Sequence, residues 1–297
     1  MRIAIVAPAR KISMRELKPA LKECRDRGHE VLLGSHLLNE SCQFAGGDDE
    51  RASDFQMMLD DESIDVIWCA RGGYGSVRII DRLDFSRFVR KPRWIAGFSD
   101  ITVFHSHLQQ QYGIPGLHSM MPLNIVRGKR AELRREAVNS FFSILDGRDP
   151  HYFFGAHPLN RQGESRGIIC GGNLSILYSL LGSRSDIDTR DKILFIEDLD
   201  EYLYHVDRMI MALKRAQKFD GLKALIVGHM GPMRDNKVPF GKTAEEIIAG
   251  HVAEYDFPVC FGFPAGHMDD NRALILGAET GIIISGNRCE INIRLPR

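Results

Sequence analysis

Ser99, Glu197 and His267 each stand at or just after the end of an apolar run in this chain of 297 residues. A hydroxyl, a carboxylate and an imidazole are the groups of a serine acyl-transfer site. In such a site the imidazole takes the hydroxyl proton and the carboxylate orients the imidazole. The three runs have the length of buried strands, and they cover residues 94–98, 193–196 and 259–263. These residue types at these positions predict nucleophilic catalysis by serine.

A second interpretation of Ser99 is structural. It lies between an apolar run and a helix predicted to begin near Ile101, where a serine oxygen can cap the first turn. The same strand-to-helix turn would expose a nucleophilic hydroxyl and aim the N–H of Asp100 at an oxyanion. Ile101 occupies the position of the second glycine in G-x-S-x-G. The turn is therefore not the nucleophile elbow of an α/β-hydrolase.

A glycine-rich turn, residues 71–76, follows the apolar run 66–70. Glycine lets the backbone approach a ligand closely, so an N–H group of the turn could donate to an oxyanion. Arg71 or Arg78 could bind a substrate carboxylate through two parallel hydrogen bonds. A plain turn is the alternative. The spacings of phosphate-binding loops are absent from this segment.

The remaining polar candidates also have ordinary structural interpretations. A lone loop histidine such as His267 is more often structural than catalytic, and Glu197 could be an ordinary carboxylate at a sheet edge. Glu201, Tyr204 and Arg208 share one helix face that points either to the same cleft or to solvent. A metal site is not predicted, because the histidines at 105, 107 and 118 lack carboxylate ligands at metal-binding spacing.

Composition limits the class of protein. Lys and Arg balance Asp and Glu at 39 each, so neither a nucleic-acid-binding surface nor a polybasic membrane anchor is predicted. No apolar run reaches the roughly 20 residues of a membrane span. The six cysteines are scattered without zinc spacing or a disulfide framework. We expect a cytoplasmic protein without cofactor, metal, nucleic-acid or membrane partner.

Alternating apolar runs and amphipathic segments predict an α/β fold whose N-terminal domain is a parallel, doubly wound sheet. We place this domain at residues 1–146, with the nucleophile. A segment rich in Gly, Pro, His and Arg, residues 147–165, is predicted to link it to a second domain at 166–297, which alternates strands and helices and ends in a β tail. The second domain would carry the acid and the base. In parallel α/β sheets, ligands bind at the carboxyl edge of the strands, so we expect the site at that edge.

Several motifs in chain order resemble the LD-carboxypeptidases, the cytoplasmic serine peptidases of peptidoglycan recycling, of which the microcin C immunity proteins are a branch. The motifs span nearly the whole chain, and they are Ala70-Arg-Gly-Gly-Tyr-Gly-Ser-x-Arg78, Gly97-Phe-Ser-Asp-Ile-Thr102, Gly171-Gly-Asn-Leu174, Glu197-Asp-x-x-Glu-x-x-Tyr-x-x-Asp-Arg208 and Gly262-x-Pro-Ala-Gly-His267. Arg10 is a departure, because we expect a small or polar residue after Pro8-Ala9.

The resemblance implies a parallel α/β N-terminal domain, a smaller β-rich α/β C-terminal domain and an active site between them. It also implies roles for the motif residues. Ser99 would be the nucleophile, Glu197 the acid and His267 the base. The oxyanion donors would be backbone N–H groups of Asp100 and, in the 71–75 turn, Gly73. We expect substrate contacts from Arg71, Tyr74 and Glu201.

The resemblance also implies an activity. The expected enzyme is a homodimeric serine carboxypeptidase that releases the terminal D-alanine of a murein tetrapeptide. The alternatives are a microcin C immunity-type amidase or peptidase and a protein that binds peptides without cleaving them.

Overall fold

The computed structural model describes residues 1–126 and 128–296. Within them the chain forms the strands β1 (Arg2–Val6), β2 (Glu30–Leu33), β3 (Val66–Cys69), β4 (Trp94–Gly97), β5 (Gly116–His118), β6 (His151–Gly155), β7 (Gly163–Asn173), β8 (Lys192–Asp198), β9 (Ala224–Met230), β10 (Val259–Phe261), β11 (Leu274–Leu276), β12 (Glu279–Ile284) and β13 (Arg288–Ile293).

The α-helices of the same residues are α1 (Met14–Asp26), α2 (Asp48–Asp60), α3 (Ser76–Ile79), α4 (Ser86–Arg90), α5 (Thr102–Tyr112), α6 (Lys129–Leu133), α7 (Arg135–Leu145), α8 (Leu174–Ser179), α9 (Leu203–Arg215) and α10 (Ala244–His251). Capping boxes begin two of them. Ser13 and Glu16 cap α1, and Thr243 and Glu246 cap α10. In each box the hydroxyl and the glutamate satisfy N–H groups that have no partner inside the helix.

The first sheet has the order β11-β5-β4-β3-β1-β2. Strands β1 to β5 run parallel, and β11 is antiparallel to β5 at the edge. Every residue of β3 is buried, as expected for a parallel strand covered on both faces. The carboxyl ends of β3, β4 and β5 are therefore neighbours, and the turn at 70–75 follows one of them while Ser99 follows another.

The second sheet has the order β10-β9-β8-β7-β12-β13-β6. Strands β7 to β10 pair in parallel, whereas β12, β13 and β6 extend the sheet with antiparallel pairs. Glu197 lies at the carboxyl end of β8, and the loop after β10 leads to His267. The mixed α/β architecture with two sheets confirms the predicted fold class.

The two sheets are joined through the start of α5 and the end of β7. Thr102 Oγ1 accepts a hydrogen bond of 3.0 Å from the N–H of Asn173. In addition, β11 belongs to the C-terminal part of the chain but completes the first sheet. The predicted linker, residues 147–165, contains β6, which pairs with β13 in the second sheet, and the first residues of β7. The predicted domain boundaries stay a prediction.

Several elements differ from the sequence-based expectation. The sequence pattern of residues 129–145 predicts a single helix, but the structure has two helices there, because the backbone leaves the helical path at Arg134. The strands β5 and β6 and the short helix α4 were not expected. Strand β5 has only three residues, too few for a periodic signal. In the part of the chain described, no helix is both long and apolar enough to cross a bilayer.

Candidate active site

Ser99 sits at a strained strand-to-helix turn. Its φ is +63°, in the left-handed region that a serine rarely adopts, directly after β4. A helix-capping serine has extended backbone angles and bonds to an N–H of the first turn. Ser99 has neither feature, and the helix beginning here has no side-chain cap. The capping interpretation of Ser99 was therefore wrong, because the turn lifts the residue out of the extended conformation that a cap needs.

The glycine-rich turn after β3 packs directly against Ser99. A Cβ built on Gly72 would lie 3.1 Å from Ser99 Cβ and 3.4 Å from Ser99 Oγ. Only a glycine lets the two turns approach this closely without displacement. The next residue, Gly73, has a φ of +108°. Across residues 1–126 and 128–296, the N–H groups of Gly73 and Asp100 form no hydrogen bond, so both remain available as donors.

The side chain of Asp100 ties these two turns together. Its Oδ2 accepts a hydrogen bond of 2.8 Å from the N–H of Ser76, at the start of α3. Burial raises the pKa of Asp100, although its bonds to Ser76 and Gly75 oppose that shift. The buried carboxyl group therefore links the glycine-rich turn to the Ser99 turn. The backbone N–H of Asp100 is the group predicted to face an oxyanion.

His267 and Glu197 form a direct pair. His267 Nδ1 lies 2.7 Å from Glu197 Oε2, and the carboxylate is completely buried. A carboxylate on Nδ1 leaves Nε2 as the nitrogen that can accept a proton. The second oxygen of Glu197, Oε1, is buried with no hydrogen-bond partner in the described chain. Glu197 thus directs one oxygen to the imidazole.

The pair shifts the pKa values of both groups in opposite directions. Burial by itself raises the pKa of Glu197, but the charge and hydrogen bond of His267 outweigh it and lower the pKa. Burial lowers the pKa of His267, and the charge and hydrogen bond of Glu197 reverse this and raise it. The site therefore stabilises an imidazolium beside a carboxylate, the charge state that arises when a histidine takes a proton from a nucleophile.

Gly266 lets the loop that carries His267 pass close to the side chain of Glu197. A Cβ on Gly266 would lie 2.7 Å from Glu197 Oε2 and 2.8 Å from Glu197 Cβ, and its φ is +110°. Neither the space nor the backbone angle suits another residue. The Oδ1 of Asn271 accepts a 2.8 Å hydrogen bond from the N–H of Gly266 and holds the loop.

The imidazole of His267 lies beside the Ser99 turn. Its ring centroid is 4.8 Å from that of Phe98, the residue immediately before Ser99. Within the described ranges, however, Ser99 Oγ forms no hydrogen bond to His267. The structure thus brings Glu197 and His267 into direct contact, and it places the turn that carries Ser99 against the imidazole through Phe98. A hydrogen bond between a nucleophile and its base can tighten in the reacting complex.

Other buried polar residues surround the pair, and we had not predicted roles for them. His118, at the end of β5, packs edge-on against Phe195 at 5.0 Å, and burial lowers its pKa to about 3. It therefore stays neutral beside Glu197. Burial, together with the charge of Glu197, raises the pKa of Asp198 to about 6. Asp198 Oδ1 accepts a 2.9 Å hydrogen bond from Asn173 Nδ2.

Two of the predicted substrate-binding residues, Arg71 and Glu201, have hydrogen-bond partners within the protein. Arg71 donates to the carbonyl of Lys11 at 3.2 Å and has Glu16 Oε1 at 3.7 Å. Tyr74 is exposed. Glu201 accepts from Ser175 Oγ at 3.1 Å, and its other oxygen lies 2.5 Å from the imidazole of a histidine one turn along. Their roles in binding stay predictions.

Arg78, the alternative carboxylate binder, is also paired. Its Nη2 donates to Asp48 Oδ2 at 2.8 Å, and its Nε donates to both oxygens of the same carboxylate at 3.0 and 3.1 Å. Among the residues whose placement is described, no cluster of three or more His, Cys, Asp or Glu side chains could hold a metal ion.

Models of a single protein family match most of this chain. The family model for the LD-carboxypeptidase N-terminal domain matches residues 3–119, and that for the LD-carboxypeptidase C-terminal domain matches residues 166–282. The chain belongs to the LD-carboxypeptidase family. The predicted resemblance is therefore confirmed. Ser99 lies within the first match, and Glu197 and His267 lie within the second.

Individual relatives match along almost the whole chain. A Bacillus subtilis protein described as a probable murein peptide carboxypeptidase is 31% identical, with 94% of this chain and 88% of the relative covered. The murein tetrapeptide carboxypeptidase of Pseudomonas aeruginosa is 28% identical, with 97% and 94% covered.

Solved structures share the fold of this LD-carboxypeptidase family member. The muramoyltetrapeptide carboxypeptidase from Oxalobacter formigenes superposes with a TM-score of 0.89 at 25% identity, with 99% of each chain covered. The microcin C7 self-immunity protein MccF gives a TM-score of 0.87 at 20% identity, with 99% of this chain and 96% of that chain covered. The likeness to MccF concerns the fold alone.

Proposed function

We propose that this protein is a serine LD-carboxypeptidase that releases the terminal D-alanine from murein tetrapeptides. The single observation that carries the proposal is the 2.7 Å pair of His267 Nδ1 and Glu197 Oε2 beside the strained Ser99 turn. Family membership and the names of the relatives support the substrate class.

In the proposed mechanism, His267 Nε2 takes the proton of Ser99 Oγ as the oxygen attacks the carbonyl of the penultimate residue. Glu197 holds the imidazole in place and stabilises its positive charge. The tetrahedral oxyanion receives hydrogen bonds from the N–H groups of Gly73 and Asp100, and losing one such donor typically costs about 10²- to 10³-fold in rate.

The second half of the reaction reverses these proton movements. The imidazolium of His267 protonates the amine of the departing D-alanine, which leaves an ester between Ser99 and the shortened peptide. Water, deprotonated by the neutral imidazole, then hydrolyses the ester and restores the Ser99 hydroxyl. The tetrapeptide is thereby converted to a tripeptide and free D-alanine without a cofactor.

The biological setting is part of the same proposal. We propose that the reaction is a step of peptidoglycan recycling in the cytoplasm and that the enzyme assembles as a homodimer. Light scattering on the purified protein would measure the mass of the assembly, and a monomer over the working concentration range would contradict the dimer.

The test of the activity is a comparison of substrates. Purified protein is incubated with a murein tetrapeptide and, separately, with an aminoacyl-sulfamoyl nucleoside, the kind of ligand present in MccF structures. We expect D-alanine release from the tetrapeptide and no cleavage of the nucleoside. Cleavage of the nucleoside alone would favour the immunity-type amidase. Binding of the tetrapeptide without cleavage of either compound would favour a non-catalytic binding protein.

A further inference from the structure

The cationic side chains around the glycine-rich turn differ in whether a carboxylate pairs with them. Most of them have a carboxylate partner in the structure, as the pairs Arg71–Glu16, Arg78–Asp48, Arg51–Asp48 and Lys11–Glu40 show. Arg10 lies at the same turn, and no described carboxylate oxygen comes within 4.0 Å of its guanidinium nitrogens. Its neutral partner is Gln43, whose Oε1 accepts from Arg10 Nη2 at 3.3 Å. The positive charge of Arg10 is therefore not neutralised within the described chain.

The backbone holds Arg10 in position. Its N–H donates to the carbonyl of Gly72 at 3.4 Å. On either side, Ala9 O accepts from Ala45 N and Lys11 N donates to Gln43 O, each at 3.1 Å. These strand-like hydrogen bonds fix the backbone at Arg10. Its exposed guanidinium can still change conformation, as surface side chains do.

The side chain of Arg10 lies over the predicted oxyanion donor. A Cβ on Gly73 would lie 2.4 Å from Arg10 Cδ and 3.0 Å from Arg10 Nε. The preceding glycine, Gly72, contacts Ser99 in the same way. Arg10 and Ser99 thus lie against consecutive glycines of one turn.

This arrangement suits a carboxypeptidase substrate, in which a carboxylate follows the scissile bond. The free carboxylate belongs to the residue directly after the scissile carbonyl, and consecutive Cα atoms are about 3.8 Å apart. An arginine offers a planar fork of donors that binds a carboxylate through two charge-assisted hydrogen bonds. A substrate attacked by Ser99, with its oxyanion at Gly73 N–H, would carry its terminal carboxylate close to Arg10.

We infer that Arg10 binds the terminal carboxylate of the substrate and so restricts cleavage to the last peptide bond. The inference rests on the proposed function of Ser99 and adds a specificity-determining residue to it. Arg71 and Arg78, the arginines predicted from the sequence, already have carboxylate partners. A substrate would have to displace Glu16 or Asp48 to use them, whereas Arg10 needs only to turn from a neutral amide.

The experiment compares a murein tetrapeptide with the same peptide carrying a C-terminal amide. We expect wild-type enzyme to prefer the free acid by about 10- to 100-fold in kcat/KM, the range of a hydrogen-bonded charge. Arg10→Ala should lose about that factor on the acid, change little on the amide, and bring the ratio near one. Arg10→Lys should fall between the two. The control is Arg82→Ala, which removes an exposed arginine paired with Asp49 at 2.6 Å and should leave the ratio unchanged.

Each contrary outcome has a distinct meaning. If Arg10→Ala is folded and keeps the acid preference, the inference is overturned while the proposed activity stands. The same follows if Arg71→Ala, rather than Arg10→Ala, removes the preference. If wild-type enzyme releases D-alanine or its amide from neither peptide, the proposed function fails and the role of Arg10 fails with it. Calorimetric binding of both peptides to Ser99→Ala, with and without Arg10→Ala, measures the same preference independently of turnover.

Discussion

Replacing Gly266 by alanine should disable the histidine–glutamate pair with only a limited effect on the fold. The new Cβ would lie 2.7 Å from Glu197 Oε2, whereas ordinary contact begins near 3.4 Å. The carboxylate must therefore retreat by about 0.7 Å, the difference between these two distances, or the histidine loop must lift. Either movement stretches the 2.7 Å bond between Glu197 and His267.

The size of the effect follows from this geometry. Misplacing a catalytic group by about 1 Å can cost roughly 100-fold in rate, so we expect kcat/KM for D-alanine release to fall by about 10²-fold. The positive φ of Gly266 adds backbone strain of about 1–3 kcal/mol. For a chain of this size that strain lowers Tm by roughly 2–10 °C. The variant should therefore fold, melt earlier and cleave slowly.

Gly262 provides the matched control in the same loop. Its φ is also positive, at +77°, but a Cβ there would meet nothing within 4 Å. Gly262→Ala should consequently lose some thermal stability and keep most of its activity. Steady-state D-alanine release and thermal unfolding are measured for both variants. Wild-type kcat/KM in folded Gly266→Ala, or an equal loss of activity in both variants, would show that the close approach of Gly266 to Glu197 does not matter for catalysis.

Three further predictions concern the same site. Glu197→Gln should lower kcat/KM by about 10³- to 10⁴-fold. Because the carboxylate raises the pKa of His267 and the neutral imidazole is the active form, the acid limb of the pH–rate profile should also move to lower pH; an unmoved limb would contradict the pairing. Gly72→Ala should crowd Ser99 at 3.1 Å and reduce kcat with little change in Tm, and the opposite pattern would argue against that contact. Asn173→Ala should lower the free energy of unfolding by about 1–3 kcal/mol in chemical denaturation, because it removes a helix cap and a bond to a buried carboxylate; an unchanged stability would show that neither contact matters.

Much of the fold was predictable because its central strands are continuous apolar runs. Strands β3 and β4 were identified within one residue of their observed ends, since parallel strands buried on both faces have an unmistakable composition. The edge strands were harder. Strand β11 is distant in sequence from the sheet it completes, and no local pattern shows that residues 274–276 pair with residues 116–118.

The candidate site was likewise predictable only in part. Ser99, Glu197 and His267 could be proposed because each follows a buried apolar run, and ligands of parallel α/β sheets bind at the carboxyl ends of the strands. The left-handed backbone of Ser99 was not predictable, since no glycine or asparagine marks it. The position of Arg10 over Gly73 depends on a tertiary contact, so the local pattern could not indicate it. The motif Gly171-Gly-Asn-Leu174 did contain Asn173, but its bond to Asp198 needed the register of two strands.

D-Alanine release by Ser99→Ala is the most direct test of the proposed active site. The variant removes one oxygen from a partly exposed side chain, so its far-ultraviolet circular dichroism and Tm should match those of the wild type. We predict that wild-type protein releases D-alanine from a murein tetrapeptide and that Ser99→Ala releases it at least about 10³-fold more slowly. Wild-type release by the folded variant would contradict the assignment of Ser99 as the nucleophile.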